Sequence, residues 1–196
     1  MIKNFILGII AYVLVFVTVN FAQAASTNTS ATKALGPHWA KYPIKVYIPK
    51  DDKQPAMKNA FTEWQSQSSG KVKFTFVQQE DKADLIVKFT DKTTGLESKL
   101  GGNKITKKEG NQIKKAEITL ATKSPAAKKH TNKYVYLTML HQIGHILGLP
   151  DNPTKPTSIM HMPISEDQSI KKIDIRKLYK VNGWSYANRN MPSQRN

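Results

Sequence analysis

Residues 141–151 read HQIGHILGLPD. Side chains four apart on an α-helix stand one above the other, so His141 and His145 can offer imidazole nitrogens to one ion at about 2.0–2.1 Å. Gly148 is where such a helix must stop, because glycine accepts a left-handed backbone at little cost, and a chain turning there can bring Asp151 back to the same ion. The result is a His, His, Asp site with a fourth position open, the arrangement that catalytic zinc uses. Two nitrogens and a carboxylate also suit iron in oxygenases, but those ligands come from a different scaffold and spacing, so zinc is the expected ion. A bare histidine pair at this spacing is more often a pair of core or surface residues. The glycine and the carboxylate at fixed offsets turn the reading toward a metal. Beside the first histidine sits Gln142, an amide that cannot take up a proton.

Outward from this motif the pattern alternates between the two periods of regular structure. A helix capped by Thr131 or Asn132 should carry the motif, with Tyr134, Leu137, His141, Gly144 and His145 along one side. Upstream, AEITLA alternates Ala116, Ile118 and Leu120 as a strand, and residues 99–106 suggest a short edge strand. ADLIVKF and KVKFTFV read as two further strands, on Ala83, Leu85, Val87 and Phe89 and on Val72, Phe74 and Phe76. Before them, Met57, Ala60, Phe61 and Trp64 recur at helical spacing after Pro55, which suits a first helical turn. PIKVYIP alternates Ile44, Val46 and Ile48 against Lys45 and Tyr47, a half-buried strand. Downstream, PDNPTKPTSIMHMP is too dense in proline for anything but loop. Ser165 with Gln168 suggests a capping box, and Ile170, Ile173, Leu178 and Val181 outline a closing helix.

The chain has 196 residues, enough for one domain with a proper core. Residues 1–24 give a basic start at Lys3, an apolar run and the triplet Ala22, Gln23, Ala24, which reads as a secretory signal cleaved after Ala24. The other reading is an uncleaved anchor, for which the apolar run is short of the roughly 20 residues a spanning helix needs. Residues 25–36 read as a flexible leader, 37–184 as the domain and 185–196 as a polar tail, so the protein is expected to be secreted or periplasmic. No cysteine is present, which excludes disulfides and thiolate ligands. Thirty Lys and Arg against fourteen Asp and Glu give a net charge of +16. Such a surface suits either simple solvation or attraction to anionic cell-surface polymers. No aromatic or glycine pattern of a nucleic-acid module accompanies the lysines.

Residues 141–151 resemble the zinc-binding consensus of the metzincin metallopeptidases, HExxHxxGxxH or its variant ending in Asp, and the LGLPD ending is similar to the small secreted snapalysins. SIMHMP, residues 158–163, is similar to the metzincin Met-turn, which implies that Met160 packs beneath the metal without ligating it. Over residues 37–184 the chain resembles bacterial matrixin-type domains: HWAKYPIKVYIP as first strand, AFTEWQSQSSGKVKFTFV as helix plus strand, ADLIVKF, AEITL, the zinc helix and a final helix with DIRKLY. The resemblance implies a single α/β (α+β) metzincin-like domain, with a twisted mixed sheet, a long zinc-binding helix, the Met-turn and a C-terminal helix. It implies a monomeric, secreted zinc endopeptidase that binds peptide or protein substrates in a cleft beside the edge strand. His141, His145 and Asp151 would be the Zn2+ ligands, Asp151 standing where most matrixins have a third histidine. Nothing matches the structural zinc and calcium loops of animal matrixins, and His38 and His130 are isolated.

In the family, a glutamate at the position of Gln142 takes the proton of the attacking water and hands it to the leaving amine. Proton transfer by a positioned carboxylate contributes typically ~10²- to 10⁴-fold. Low activity is therefore expected here, or else an inactive zinc-binding pseudopeptidase that serves as a peptide- or surface-binding module. Glu166 and Asp167 are the carboxylates nearest in sequence to the metal-site loops, though acidic residues at a helix start are more often caps.

Overall fold

The computed structural model describes residues 36–90, 100–121 and 131–185. The expected signal, most of the leader and the tail from residue 186 lie outside the described residues. HWAKYPIKVYIP, expected as one strand, divides into two. Strand β1 (His38–Trp39) pairs parallel with a strand from much later in the chain, and β2 (Ile44–Tyr47) joins the sheet elsewhere. Two causes separate them: Pro43 has no N–H to offer a ladder, and the buried Trp39 indole is held by the carbonyl of Ile146, 2.9 Å away. Within β2 the alternation acts as read, Ile44 and Val46 being fully buried and Lys45 exposed.

Helix α1 (Gln54–Gln67) follows, with Pro55 in its first turn and Met57, Ala60, Phe61 and Trp64 sealed in the core. Strands β3 (Phe74–Val77) and β4 (Leu85–Thr90) then flank β2, both parallel to it. The suggested short edge strand is longer than read: β5 (Gly101–Glu109) is nine residues and turns back through Gly110 and Asn111 into β6 (Gln112–Ala121). Gly110 has φ 55°, the left-handed backbone a two-residue hairpin turn needs at its first central position. The lysines around this turn break the apolar alternation on which strand reading rests, which is why the hairpin was not legible.

β6 pairs parallel with β4 and β1 and antiparallel with β5, so the sheet runs β3, β2, β4, β6, β5, with β1 lying along β6 beyond the end of β4. It is a mixed sheet with one antiparallel strand at its edge. Helix α2 (Asn132–Ile146) packs against α1 and the sheet, and Thr131 caps it, its hydroxyl accepting from the Tyr134 N–H at 3.3 Å.

The closing helix α3 (Lys172–Asn182) corrects two expectations. Ser165 and Gln168 do not cap it. The Ser165 hydroxyl donates to Asp167, and the Gln168 amide reaches the carbonyls of Pro156, His161 and Pro163. The cap is Asp174, whose carboxylate accepts from the Lys171 N–H at 2.8 Å. Ile173 is an apolar residue that α3 exposes, while Ile175, Leu178 and Tyr179 face the core. Counting back from Leu178 by three places Ile175 on the buried stripe and Ile173 off it.

Candidate metal centre

Helix α2 is anchored before it presents any chemistry. The indole of Trp64 donates to the Leu140 carbonyl at 2.8 Å and that of Trp39 to the Ile146 carbonyl at 2.9 Å, so two buried donors bracket the turns carrying His141 and His145. Each such bond contributes about 1 kcal/mol, and more would be lost if the buried partner were left alone. Gly144, between the histidines, lies so close to Met160 and Trp64 that a Cβ there would stand 2.3 Å from Met160 Sδ and 3.1 Å from Trp64 Cζ2. Met160 is 1% exposed and packs directly under the histidine turn. The exit turn after α2 passes through Gly148, with φ 93°, where a Cβ would also run into the Pro37 carbonyl oxygen. Both conformation and space therefore require glycine at the exit.

Beyond the exit the chain returns as expected. His141, His145 and Asp151 each offer a ligand atom, and these atoms lie within 4.8 Å of one another. The Nε2 atoms of the two histidines are 2.9 Å apart, and Asp151 Oδ1 stands 3.6 Å from His141 Nε2 and 3.4 Å from His145 Nε2. Ligands at zinc distance from a tetrahedral ion are separated by about 3.3 Å, a value these three edges bracket.

The tautomers follow from the partners. His141 Nδ1 lies 2.8 Å from the Ile159 carbonyl and His145 Nδ1 2.8 Å from the Leu149 carbonyl. A carbonyl only accepts, so both Nδ1 atoms carry the proton and donate. Burial, followed by the neighbouring His145, pushes the His141 imidazole down to about 4, against smaller opposing effects of the Ile159 carbonyl and Asp151. His141 is therefore neutral near pH 7. With both Nδ1 protons committed to carbonyls, the two Nε2 atoms face each other at 2.9 Å, the side that each ring would turn toward a shared cation. The donor set fits a divalent ion of the zinc type, and carbonyl partners on the far nitrogens are the usual outer support of ligating histidines.

Gln142 is fully buried beside this group. Its Oε1 accepts from Asn103 Nδ2 of β5 at 2.7 Å, while its Nε2 has no hydrogen-bond partner among the described residues. A sealed, unpaired donor costs about 1–3 kcal/mol. A carboxylate here would keep the Asn103 bond and remove the orphan. Asn103 was not singled out from the sequence, and no local signal marks it, since it lies 39 positions from Gln142. The same holds for Asn152, whose N–H donates to the Met160 carbonyl at 2.6 Å and whose carbonyl accepts from His161 Nδ1 at 3.0 Å, fixing the loop after Asp151. Glu166 and Asp167 lie in the turn before α3 and do not join the converging group.

A family model described as matrixin matches residues 38–181. The chain belongs to the matrixin family. Matrixins are zinc-dependent metallopeptidases of the metzincin kind, and their substrates are peptides or proteins. The match begins at β1 and ends in α3, so it takes in the mixed sheet, the metal helix and the closing helix of this matrixin fold together. No curated protein matches the chain.

Proposed function

We propose that this matrixin is a secreted or periplasmic endopeptidase domain in which His141, His145 and Asp151 hold zinc and Gln142 occupies the place of the general base, leaving activity low. The observation that carries this reading is the pair of Nε2 atoms facing each other at 2.9 Å with Asp151 beside them. Zinc, when bound, supplies Lewis-acid polarisation of the peptide carbonyl. The peptide lies extended along the edge of β5 opposite β6 by strand addition, and a side chain enters between α2 and residues 159–163. Met160, packed on Gly144 and Trp64, acts as the floor that keeps the histidine turn in place, the role of the Met-turn.

Gln142 can orient a water by a hydrogen bond, but it cannot take the proton. Its oxygen accepts from Asn103, and among the described residues no carboxylate besides Asp151 joins the group, so a factor of ~10²–10⁴ is missing. This amide supports a second reading, a zinc-binding pseudopeptidase that holds peptides without cutting them, its lysine-rich exterior attracted to anionic polymers of the cell surface.

Zinc content and peptide cleavage, measured on the natural chain and on Gln142→Glu, separate the readings. Zinc in both proteins and a gain of ~10²–10⁴-fold in kcat on restoring the carboxylate are expected. Weak cleavage by the natural chain supports the peptidase, and none at all supports the binding module. Equal activity in the two proteins would show that Gln142 is not disabling. Absence of zinc from both would remove both readings.

A further inference from the structure

Among the described residues β5 has β6 as its single sheet partner, and its first residues abut the metal helix. A Cβ on Gly101 would stand 3.0 Å from Thr138 Cγ2, and Asn103 bonds Gln142. Burial assigns the strand's faces: Ala116, Ile118 and Leu120 of β6 are buried, so Lys115, Glu117 and Thr119 occupy the outer face. Residues directly opposite in a ladder share a face, and the register sets Lys104 opposite Glu117 and Lys107 opposite Lys115. The irregularity between Ile105 and Lys107 is what keeps both β5 lysines on that side. Lys88 of β4 lies on the same face and takes Glu117 at 2.8 Å.

Lys104, Lys107 and Lys115 are thus exposed, with no acid in ion-pair range among the described residues. Like charges directly opposite each other weaken a ladder, so the Lys107–Lys115 pair opposes the hairpin it sits on. An anion placed alongside would reverse that effect. We infer that the peptide class this protein prefers is acidic: an extended segment added along β5, with Asp or Glu at alternate positions on the outer face, beside Lys104 and Lys107. The inference rests on the strand-addition reading above. In an added strand, same-face neighbours have Cβ atoms about 4.5–5.5 Å apart, well within reach of a lysine ammonium. Edge lysines also discourage sheet-to-sheet aggregation, and a diffuse positive surface attracts any polyanion, but neither effect depends on the register of the charges.

Register is therefore what the experiment reads. Labelled extended peptides of one length are titrated with the full chain loaded with zinc, and binding is followed by fluorescence anisotropy. One peptide carries Glu at two alternate positions, a second Gln at the same positions, and a third the two Glu at adjacent positions. The alternating Glu peptide should bind about three- to tenfold tighter than its Gln counterpart, with the adjacent-Glu peptide between them. Added salt should shrink the difference. The Lys104→Gln/Lys107→Gln double variant, checked for folding by thermal unfolding, should bind Glu and Gln peptides alike. Equal binding of Glu and Gln peptides by the natural chain would overturn the inference while leaving peptide binding intact. So would a Glu advantage that is the same for adjacent and alternate placement and is abolished equally by an unstructured anionic polymer. Failure of every peptide to bind would refute the strand-addition reading itself.

Discussion

Asn103, on the inner face of the β5–β6 hairpin, joins it to Gln142 on the candidate metal side of α2, and that side and the hairpin's outer face are built by opposite rules. On α2 the chemistry is sealed. His141 is 2% exposed, both histidine Nδ1 atoms have carbonyl partners, and two indoles fix the helix from behind. On the hairpin, lysines stand in solvent, and one pair faces its own charge across the ladder. Burial raises the cost of every unmet proton and lone pair, so the α2 side can fix protonation states and ion choice. Exposure keeps each charge weak and adaptable, which suits selection among partners and not chemistry.

That contrast can be broken most severely by acid. In the metal-free chain, burial holds the His141 imidazole near 4, while in the unfolded chain it titrates at about 6.5. The unfolded state therefore binds the extra proton first, so His141's contribution is fully present above about pH 6.5 and is lost as pH falls toward 4. The loss should be on the order of 2–3 kcal/mol, read as a falling urea midpoint of the zinc-stripped chain between pH 7 and pH 4. A midpoint flat over that range would mean that His141 is not held neutral by burial.

Packing beneath the histidines offers the next test. Gly144→Ala places a methyl against Met160 Sδ and Trp64 Cζ2, both fixed in the core. About 2 kcal/mol of stability should be lost, or roughly 4–8 °C in Tm, together with weaker zinc binding. An unchanged Tm would show that Met160 moves aside freely and is no floor. The smallest effect belongs to the hairpin, and it has the opposite sign. Lys115→Glu replaces a like-charged pair with an opposite one across from Lys107, and should stabilise the chain by about 0.2–1 kcal/mol, fading in salt. A loss of stability there would mean that the lysine pair is not the liability its register makes it.

The metal-site arrangement was legible because its parts are local. His141 and His145 are one helical turn apart, and Gly148 and Asp151 follow within one exit turn, so helix geometry and a local turn bring the three donor groups together. The alternation at Ile44 and Val46 and the helical stripe through Met57, Phe61 and Trp64 were legible for the same reason, since burial of one face writes its period into the chain. The hairpin was not, because its charged residues carry no apolar period and its pairing depends on Gly110. Asn103 was beyond reach too. Nothing in its neighbourhood says that β5 will lie against α2.

By itself, then, the sequence determined the family, the mixed sheet with its long helices, and the identity of the three candidate ligands, because each is written in spacings of a few residues. The tertiary structure decided which nitrogens face the candidate ion site, by supplying the carbonyls of Ile159 and Leu149. It also decided that Gln142 is sealed against Asn103, and that Lys88, Lys104, Lys107 and Lys115 share one face with Glu117. Hydrogen-bond partners and cross-strand neighbours are chosen by packing between segments far apart in the chain, and no local pattern carries that information.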